Sequence, residues 1–402
     1  MTSKRILIAS FATAFIGTMA FRISVPAVAF YTRISLKGTM LELGLLTTSF
    51  FAARAIAAVL AGELADKGLK LHILASSCFL IHSLVVMLYR LVRSWLSVVF
   101  LKALQGILNG LAWTSVQFVL GAAVKTEVRG RAYSVYFAFG SLGGFAGNIA
   151  YSLMPGTGLS KPIALSALAF SLSALTSMFL VSPSLTAGKS RRAKARNRSS
   201  IIRTRPEGSC LLAWISLMVF GSRAFASLLT GDVIYVYLSE ALGISPSLAS
   251  ALVGFGSLVG LLASTAISWV ADKKDDRLAL SLAVGLSSAG ALMTAIRHAA
   301  LGVAGFLLLA MGVVSLMPLV RRLVMTYQRR RGLALGVVGA VGNVGTASSS
   351  VLFGGSLQLM GTSTVAVLGL EFVKAVLVVS LALLAVVFIS VVKVRRALGL
   401  IR

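Results

Sequence analysis

Apolar side chains occur along the whole chain in runs of roughly 18 or more residues, each closed by a short cluster of charged, Gly or Pro residues. A run of that length crosses about 30 Å of hydrocarbon as a helix. Reading the runs and their breakers predicts spans over 6–30, 40–61, 71–89, 95–122, 131–154 and 162–182, then 209–237, 247–270, 278–296, 299–320, 332–358 and 371–392. A membrane β-barrel would show ten-residue segments of alternating polarity. That pattern is absent, and closed helices are then the way to satisfy every backbone group in lipid. The expected fold class is all-α with 12 transmembrane helices. The expected organisation is an N-terminal six-helix bundle (1–182), a basic linker (183–208) and a C-terminal six-helix bundle (209–402).

Composition strengthens this picture. The 402-residue chain is 57% hydrophobic and 12% charged, with a mean hydropathy of +0.94, whereas soluble chains are about a quarter charged. Its formal charge of +27 would suggest nucleic acid in a soluble protein, but here the placement matters more than the sum. Under twelve alternating spans, twenty-seven of the 38 Lys and Arg fall on the side of the N-terminus, six fall opposite and five lie within spans. The positive-inside rule then puts both termini in the cytoplasm of a multi-pass protein of the cell membrane. The linker, rich in Lys and Arg from Lys189 to Arg205, reads as a solvated segment that touches anionic lipid, with no nucleic-acid partner. Lys4-Arg5, the apolar run from Ile6 and Ala27-Val28-Ala29 resemble a signal peptide. Cleavage there is not expected, because it would leave eleven helices and spoil an internal symmetry.

That symmetry is a repeat. Ala65-Asp66-Lys67 falls on Ala271-Asp272-Lys273 at an offset of 206, and the same offset carries Tyr31 onto Tyr237. RGRAYSVYFAFG from Arg129 matches RGLALGVVGAVG from Arg331 at an offset of 202. Two motif pairs in one order argue for duplication of a six-helix unit, and parallel repeats of this kind hold their binding site between the halves. The loop GELADKGLK, through Gly62, Asp66, Lys67, Gly68 and Lys70, resembles the signature loop of the major facilitator superfamily. A degraded second copy keeps Asp272, Lys273 and Arg277, and Lys102, Gln105, Gly106 and Gly110 resemble a further motif of that family. The resemblance covers essentially the whole chain. It implies a secondary transporter working by alternating access, with no cofactor, and most simply as a monomer. It also implies that Asp66 caps a helix of the other half, span 11, and so gates the cytoplasmic end.

Glycines four apart, such as Gly106 and Gly110, Gly143 and Gly147, and Gly256 and Gly260, are expected to let helices pack closely. No phosphate-binding loop occurs in the context it would need, and Cys78 with His82 four residues on reads as packing rather than a metal site.

Charges inside spans cost about 2.5–3.5 kcal/mol each and need a reason. Arg22, Arg54, Lys102 and Arg223 lie within spans 1, 2, 4 and 7, and Asp232, near the far end of span 7, is the acid among them. Four cations against one acid leave an excess that an anionic small-molecule substrate would complete. The family's organic-anion and organophosphate exchangers are similar in holding one Arg from helix 1 and one from helix 7, which transfers to Arg22 and Arg223. Arg54 reads as bracing the gate or touching substrate, and Lys102 as touching substrate or serving conformational or proton coupling. Gln105, Asn109, Trp113 and Asn148 either line the cavity or join helices. Asp232 is the carboxylate placed for proton coupling, although shallow. Glu371 and Lys374 are expected to form a local ion pair three apart on the last helix. The alternatives to anion transport are multidrug or metabolite efflux by proton antiport and a non-transporting sensor. An enzyme is not expected, since no catalytic constellation is present.

Overall fold

The structure is a computed structural model, and it describes residues 2–67, 69–124, 129–154, 158–180, 206–327, 331–367 and 369–401. The first half contains α1 (Thr2–Phe30), continued by a π turn over Tyr31–Ser35, then α2 (Met40–Asp66), α3 (Leu71–Leu88), α4 (Trp95–Ala123), α5 (Arg129–Ser152) and α6 (Ser160–Met178). The second half opens with a seventh crossing in three pieces: α7 (Pro206–Phe225), α8 (Ser227–Thr230) and α9 (Asp232–Leu242). It continues with α10 (Pro246–Lys273), α11 (Asp276–Thr294), α12 (Ala299–Tyr327) and α13 (Arg331–Met360). A hairpin of β1 (Thr364–Val367) and β2 (Leu370–Val373) precedes α14 (Lys374–Ile401). Eleven helices are long and apolar enough to cross a membrane. The twelfth crossing is α5, 24 residues long but interrupted by Gly and Ser. Most of the linker, residues 183–205, lies outside the described residues.

The repeat read in the sequence recurs in three dimensions. Thr39 caps the N-terminus of α2, accepting a hydrogen bond from the Glu42 amide. Ser245, 206 residues on, caps α10 in the same way through the Leu248 amide. These caps satisfy amides that a helix start leaves unpaired, so the second helix of each half begins at an equivalent residue. The Tyr31 hydroxyl donates to the Val92 carbonyl just beyond α3, at 2.6 Å. Its counterpart Tyr237 donates to the Thr294 carbonyl at the end of α11, at 2.8 Å. Gly143 packs on the Phe15 carbonyl of α1, and Gly345, at the other offset of 202, packs on the Phe220 carbonyl of α7. A methyl group at either glycine would overlap that oxygen, and close backbone approach is how helices associate where burial of apolar area gains nothing. Gly106 and Gly110 hold α4 against α2 in the same manner, and Gly256 and Gly260 hold α10 against α12.

The halves meet through α2 on α13 and α10 on α5. Gly44 abuts the Ser350 carbonyl and Gly354 the Met40 carbonyl at the first contact. At the second, Ser250 donates to the Asn148 carbonyl at 3.0 Å. The two offsets carry Gly44 onto Ser250 and Asn148 onto Ser350, so these contacts are related by the internal two-fold.

Two predicted features are corrected. Span 7 was expected as one helix over 209–237, but Gly231 is extended (ψ 170°) and divides it. Glu371 lies on β2 while Lys374 opens α14, so the two do not share a helix face and form no ion pair. The hairpin is anchored instead by backbone, the Arg297 amide donating to the Glu371 carbonyl at 2.7 Å and the Val373 amide to the Ala295 carbonyl at 2.7 Å.

Candidate functional site

The helix break at Gly231 creates a polar cluster in the interior. Asp232 is the first residue of α9, where the unpaired amides of a helix start favour a carboxylate. Thr47 of α2, in the other half, accepts from the Asp232 amide at 2.8 Å. The same Thr47 hydroxyl donates to Asp232 Oδ2 at 2.8 Å. Lys102 of α4 donates its ammonium to Oδ1 at 2.6 Å, with both side chains almost fully buried (3% and 4% exposed). Two predicted site residues, 130 positions apart, thus neutralise each other across the junction of the halves. Asp232 is buried, and the break at Gly231 sets it beside Lys102.

Around this pair the halves are joined by further links at the end of the molecule away from the N-terminus. Arg22 Nη1 donates to the Thr230 carbonyl at 3.3 Å, and the Thr48 hydroxyl to the Ala347 carbonyl at 2.6 Å. The Tyr235 hydroxyl donates to Asn148 Oδ1 at 2.8 Å. Arg33 clasps Glu240 with two nitrogens, at 2.6 and 2.9 Å, on the outermost surface. Asn148, read as lining or joining, joins. This geometry shuts the interface at the far end.

On the N-terminal side of that layer lies a cluster of guanidinium groups. Arg54 of α2, Arg321 of α12 and Arg22 of α1 are all near enough to Arg223 of α7 for their charges to repel it. Arg22 lies against Gly144 and Gly147 of α5, and Arg223 against Gly342 of α13, where the absent side chains make room for them. Arg321 stacks over the Phe137 ring of α5 at 4.2 Å, a contact between the halves, and Arg54 sits over Phe51 at 5.8 Å. Tyr136, almost wholly buried, is within charge range of both Arg54 and Arg321. All four arginines are half-buried. Among the described residues none has a carboxylate within ion-pair distance, and Asp232 is the one buried acid.

The sequence-predicted residues therefore divide into three groups. Arg22 and Arg223 come together between the halves, joined by Arg54, which faces the same cluster. Lys102 and Asp232 belong to the closed layer. Gln105 and Asn109 point into the first bundle instead: Gln105 accepts from the Tyr89 hydroxyl at 2.8 Å. Among the described residues, the Gln105 amide nitrogen and Asn109 Oδ1 are buried without a hydrogen-bond partner. His82 stacks on Phe170 at 4.0 Å, as packing predicts for the Cys78 and His82 pair. Among the described residues no group of three or more His, Cys, Asp or Glu could hold a metal ion.

In the gating loops, Gly62 has open space around it, and Lys67 and Lys70 are exposed. Gly68 and the Asp66 side chain, with its predicted helix-capping role, lie outside the described residues. In the second copy Asp272 pairs with Arg322 of α12, and Asp276 pairs with Arg322 Nε at 2.8 Å. Lys273 is exposed and Arg277 half-buried at the same end.

Sequence reasoning missed Arg321, which it had assigned to a loop after span 10. The helix runs on to Tyr327 and carries Arg321 into the interface. Thr47 and Tyr235 were also missed, being ordinary polar residues in apolar runs. The repeat held one usable signal, since the offset of 206 carries Pro26, inside α1, onto Asp232, the residue after the break at Gly231.

Comparison with known proteins agrees with the architecture. No curated protein matches the sequence. A mutant of the nucleoside transporter NupG superposes with a TM-score of 0.73 at 12% identity, covering 98% of this chain and 99% of that one. A bacterial homolog of the human lysosomal transporter Spinster, inward-facing and unoccupied, gives 0.68 at 14% identity, covering 98% and 97%. The human organic anion transporter MFSD10 (TETRAN) gives 0.69 at 14% identity, covering 98% and 99%. The family model of the Major Facilitator Superfamily matches residues 10–350. With that match across most of twelve helices in two related bundles, the chain belongs to the major facilitator superfamily, whose members carry small solutes across membranes.

Proposed function

We propose that this protein moves a small organic anion across the cell membrane by alternating access, as a single chain with both termini in the cytoplasm. The observation that carries this reading is the charge imbalance between the halves. Four guanidinium groups converge there without a described carboxylate, while the one buried acid is already held by Lys102. Arginine forks match carboxylate and phosphate geometry and do not lose their proton. An anion seated among them would restore hydrogen bonds and charge together. A cationic drug would meet only repulsion, which sets multidrug efflux in second place. The fold neighbour named for organic anion transport adds to the reading, and the one named for nucleoside transport shows that the scaffold alone does not choose the cargo.

Uptake into proteoliposomes, measured with panels of labelled organic anions and drug-like cations, tests the proposal. Arg22→Ala and Arg223→Ala are each expected to lower anion uptake about tenfold or more, the worth of a charged hydrogen bond of roughly 1.5–3 kcal/mol. Extrusion of cations driven by a pH gradient, with no anion moved, would replace this reading by efflux. No movement of any solute would favour the sensor.

A further inference from the structure

The turn that joins α3 to α4, residues 89–94, lies at the far end of the molecule, away from the arginines between the halves. Two of its residues are pinned inward. The buried Tyr89 donates its hydroxyl to Gln105 at 2.8 Å, and the carbonyl of the buried Val92 accepts from the Tyr31 hydroxyl at 2.6 Å. With those two fixed, their neighbours Leu88, Arg90, Leu91 and Arg93 are all exposed. Leu88 and Leu91 face Phe100 and Leu101 of α4 across a groove that Arg93 and Ser97 also line. Leu91 and Phe100 are 74% and 67% exposed, which at the end of a membrane-spanning helix puts them against acyl chains. The side on which this groove opens holds six of the Lys and Arg residues under twelve crossings, and two of the six stand three residues apart in this one turn. Among the described residues neither guanidinium has a carboxylate within ion-pair distance.

We infer that this groove binds an anionic glycerophospholipid of the leaflet at the far end, the outer one in the proposed orientation. Its phosphodiester sits on Arg90 and Arg93, and the top of an acyl chain lies between Leu88, Leu91 and Phe100. An arginine fork matches two phosphate oxygens. A zwitterionic lipid would bring a cation of its own toward the second arginine, whereas phosphatidylglycerol brings one net negative charge and hydroxyl groups. Each basic residue at an anionic lipid surface is worth about a fivefold preference. Two of them, less what the phosphate of phosphatidylcholine itself gains, set a preference of about tenfold. A small soluble anion would leave the apolar wall uncovered, and an apolar helix of another protein would leave both charges without a partner. Because Tyr89 and Val92 hold the turn in place, the groove is formed before the lipid arrives and little ordering opposes binding.

Trp95, the first residue of α4, stands between Arg93 and Ser97 in the chain and reports on the site. The full chain, with Trp113, Trp214 and Trp269 changed to Phe, is reconstituted into bilayers with rising shares of brominated phosphatidylglycerol or, separately, brominated phosphatidylcholine. Bromine quenches a tryptophan that it touches. Half-quenching of Trp95 is expected at a share of phosphatidylglycerol about tenfold lower than of phosphatidylcholine. With Arg90→Gln and Arg93→Gln together, the two lipids should quench within about twofold of each other. Equal quenching in the parent chain, or a preference that survives the double substitution, would overturn the inference. Soluble glycerol phosphate is expected to leave the quenching unchanged, and recovery of Trp95 fluorescence would show that the site takes a free headgroup rather than a lipid. Trp113 packs against Phe79 and Gly17, so a second measurement keeps all four tryptophans. Thermal unfolding in detergent should rise further with added phosphatidylglycerol than with phosphatidylcholine, and the gap should shrink in the Arg90→Gln, Arg93→Gln chain, whose substitutions lie outside the core. A gap of unchanged size would count against the site as surely as no gap at all.

Discussion

Lys102 and Asp232 set the behaviour of the closed layer at the scale of single residues. A buried pair joined at 2.6 Å and capped by Thr47 is costly to break on one side only, because the remaining charge has nowhere to go. Lys102→Met and Asp232→Asn are each expected to destabilise the protein by about 3 kcal/mol, and the double variant by less than either alone. Thermal unfolding in detergent, read as a double-mutant cycle, checks this, and additive losses would show that the two charges act independently. Their identities were legible in the sequence as charges that an apolar span must explain. Their partnership was not, since it depends on a turn unwound at Gly231 and on a helix 130 residues away. Arg321 was hidden for the opposite reason: two consecutive arginines shortly after Pro318, near the end of a run, look like a loop, and only packing decides that the helix goes on to Tyr327.

At the scale of elements, the helices, their glycine contacts and the duplicated order were readable because each rests on local rules: run length, caps and four-residue spacing. The hairpin over Thr364–Val373 was not, because Leu370–Val373 is a four-residue segment running straight into the following helix, too short for a periodicity that separates strand from helix. The contact of α2 with α13 carries the next prediction. Gly354 faces the Met40 carbonyl and Gly44 the Ser350 carbonyl, with no room for a side chain at either. Gly354→Ile should therefore wedge the halves apart at the far end and favour the state open on that side. Arg33 and Glu240 lie across the same seam at 2.6 Å, and cysteines placed at both, in a chain with Cys78 and Cys210 changed to Ser, report its closure. A short bifunctional maleimide is expected to link them readily in the otherwise unaltered chain and several-fold more slowly with Gly354→Ile, the direction a population shift requires. Equal linking in both would mean that the close approach does not control the seam.

For the whole molecule, the open question is which side of the membrane each end of the interface faces. Orientation is set by the distribution of Lys and Arg, and under twelve crossings the bias toward the N-terminal side is twenty-seven against six. One helix more or fewer would exchange the sides of every later loop and scatter that bias, so the count of crossings and the charge asymmetry support each other. The Arg33 and Glu240 pair holds the far end of the seam shut in the present conformation. The proposed orientation puts the N-terminal side, with the exposed Lys67 and Lys70, in the cytoplasm and the side carrying exposed Arg90 and Arg93 outside. In intact cells a membrane-impermeant thiol reagent should therefore label Arg93→Cys and leave Lys67→Cys untouched, and in inverted vesicles the pattern should reverse. If both positions were labelled from one side, the alternation of spans would fail between α2 and α4. The two-fold relation between the halves would then lose its basis, since equivalent helices in the two repeats must cross in the same direction for α2 to meet α13 and α10 to meet α5 in equivalent ways.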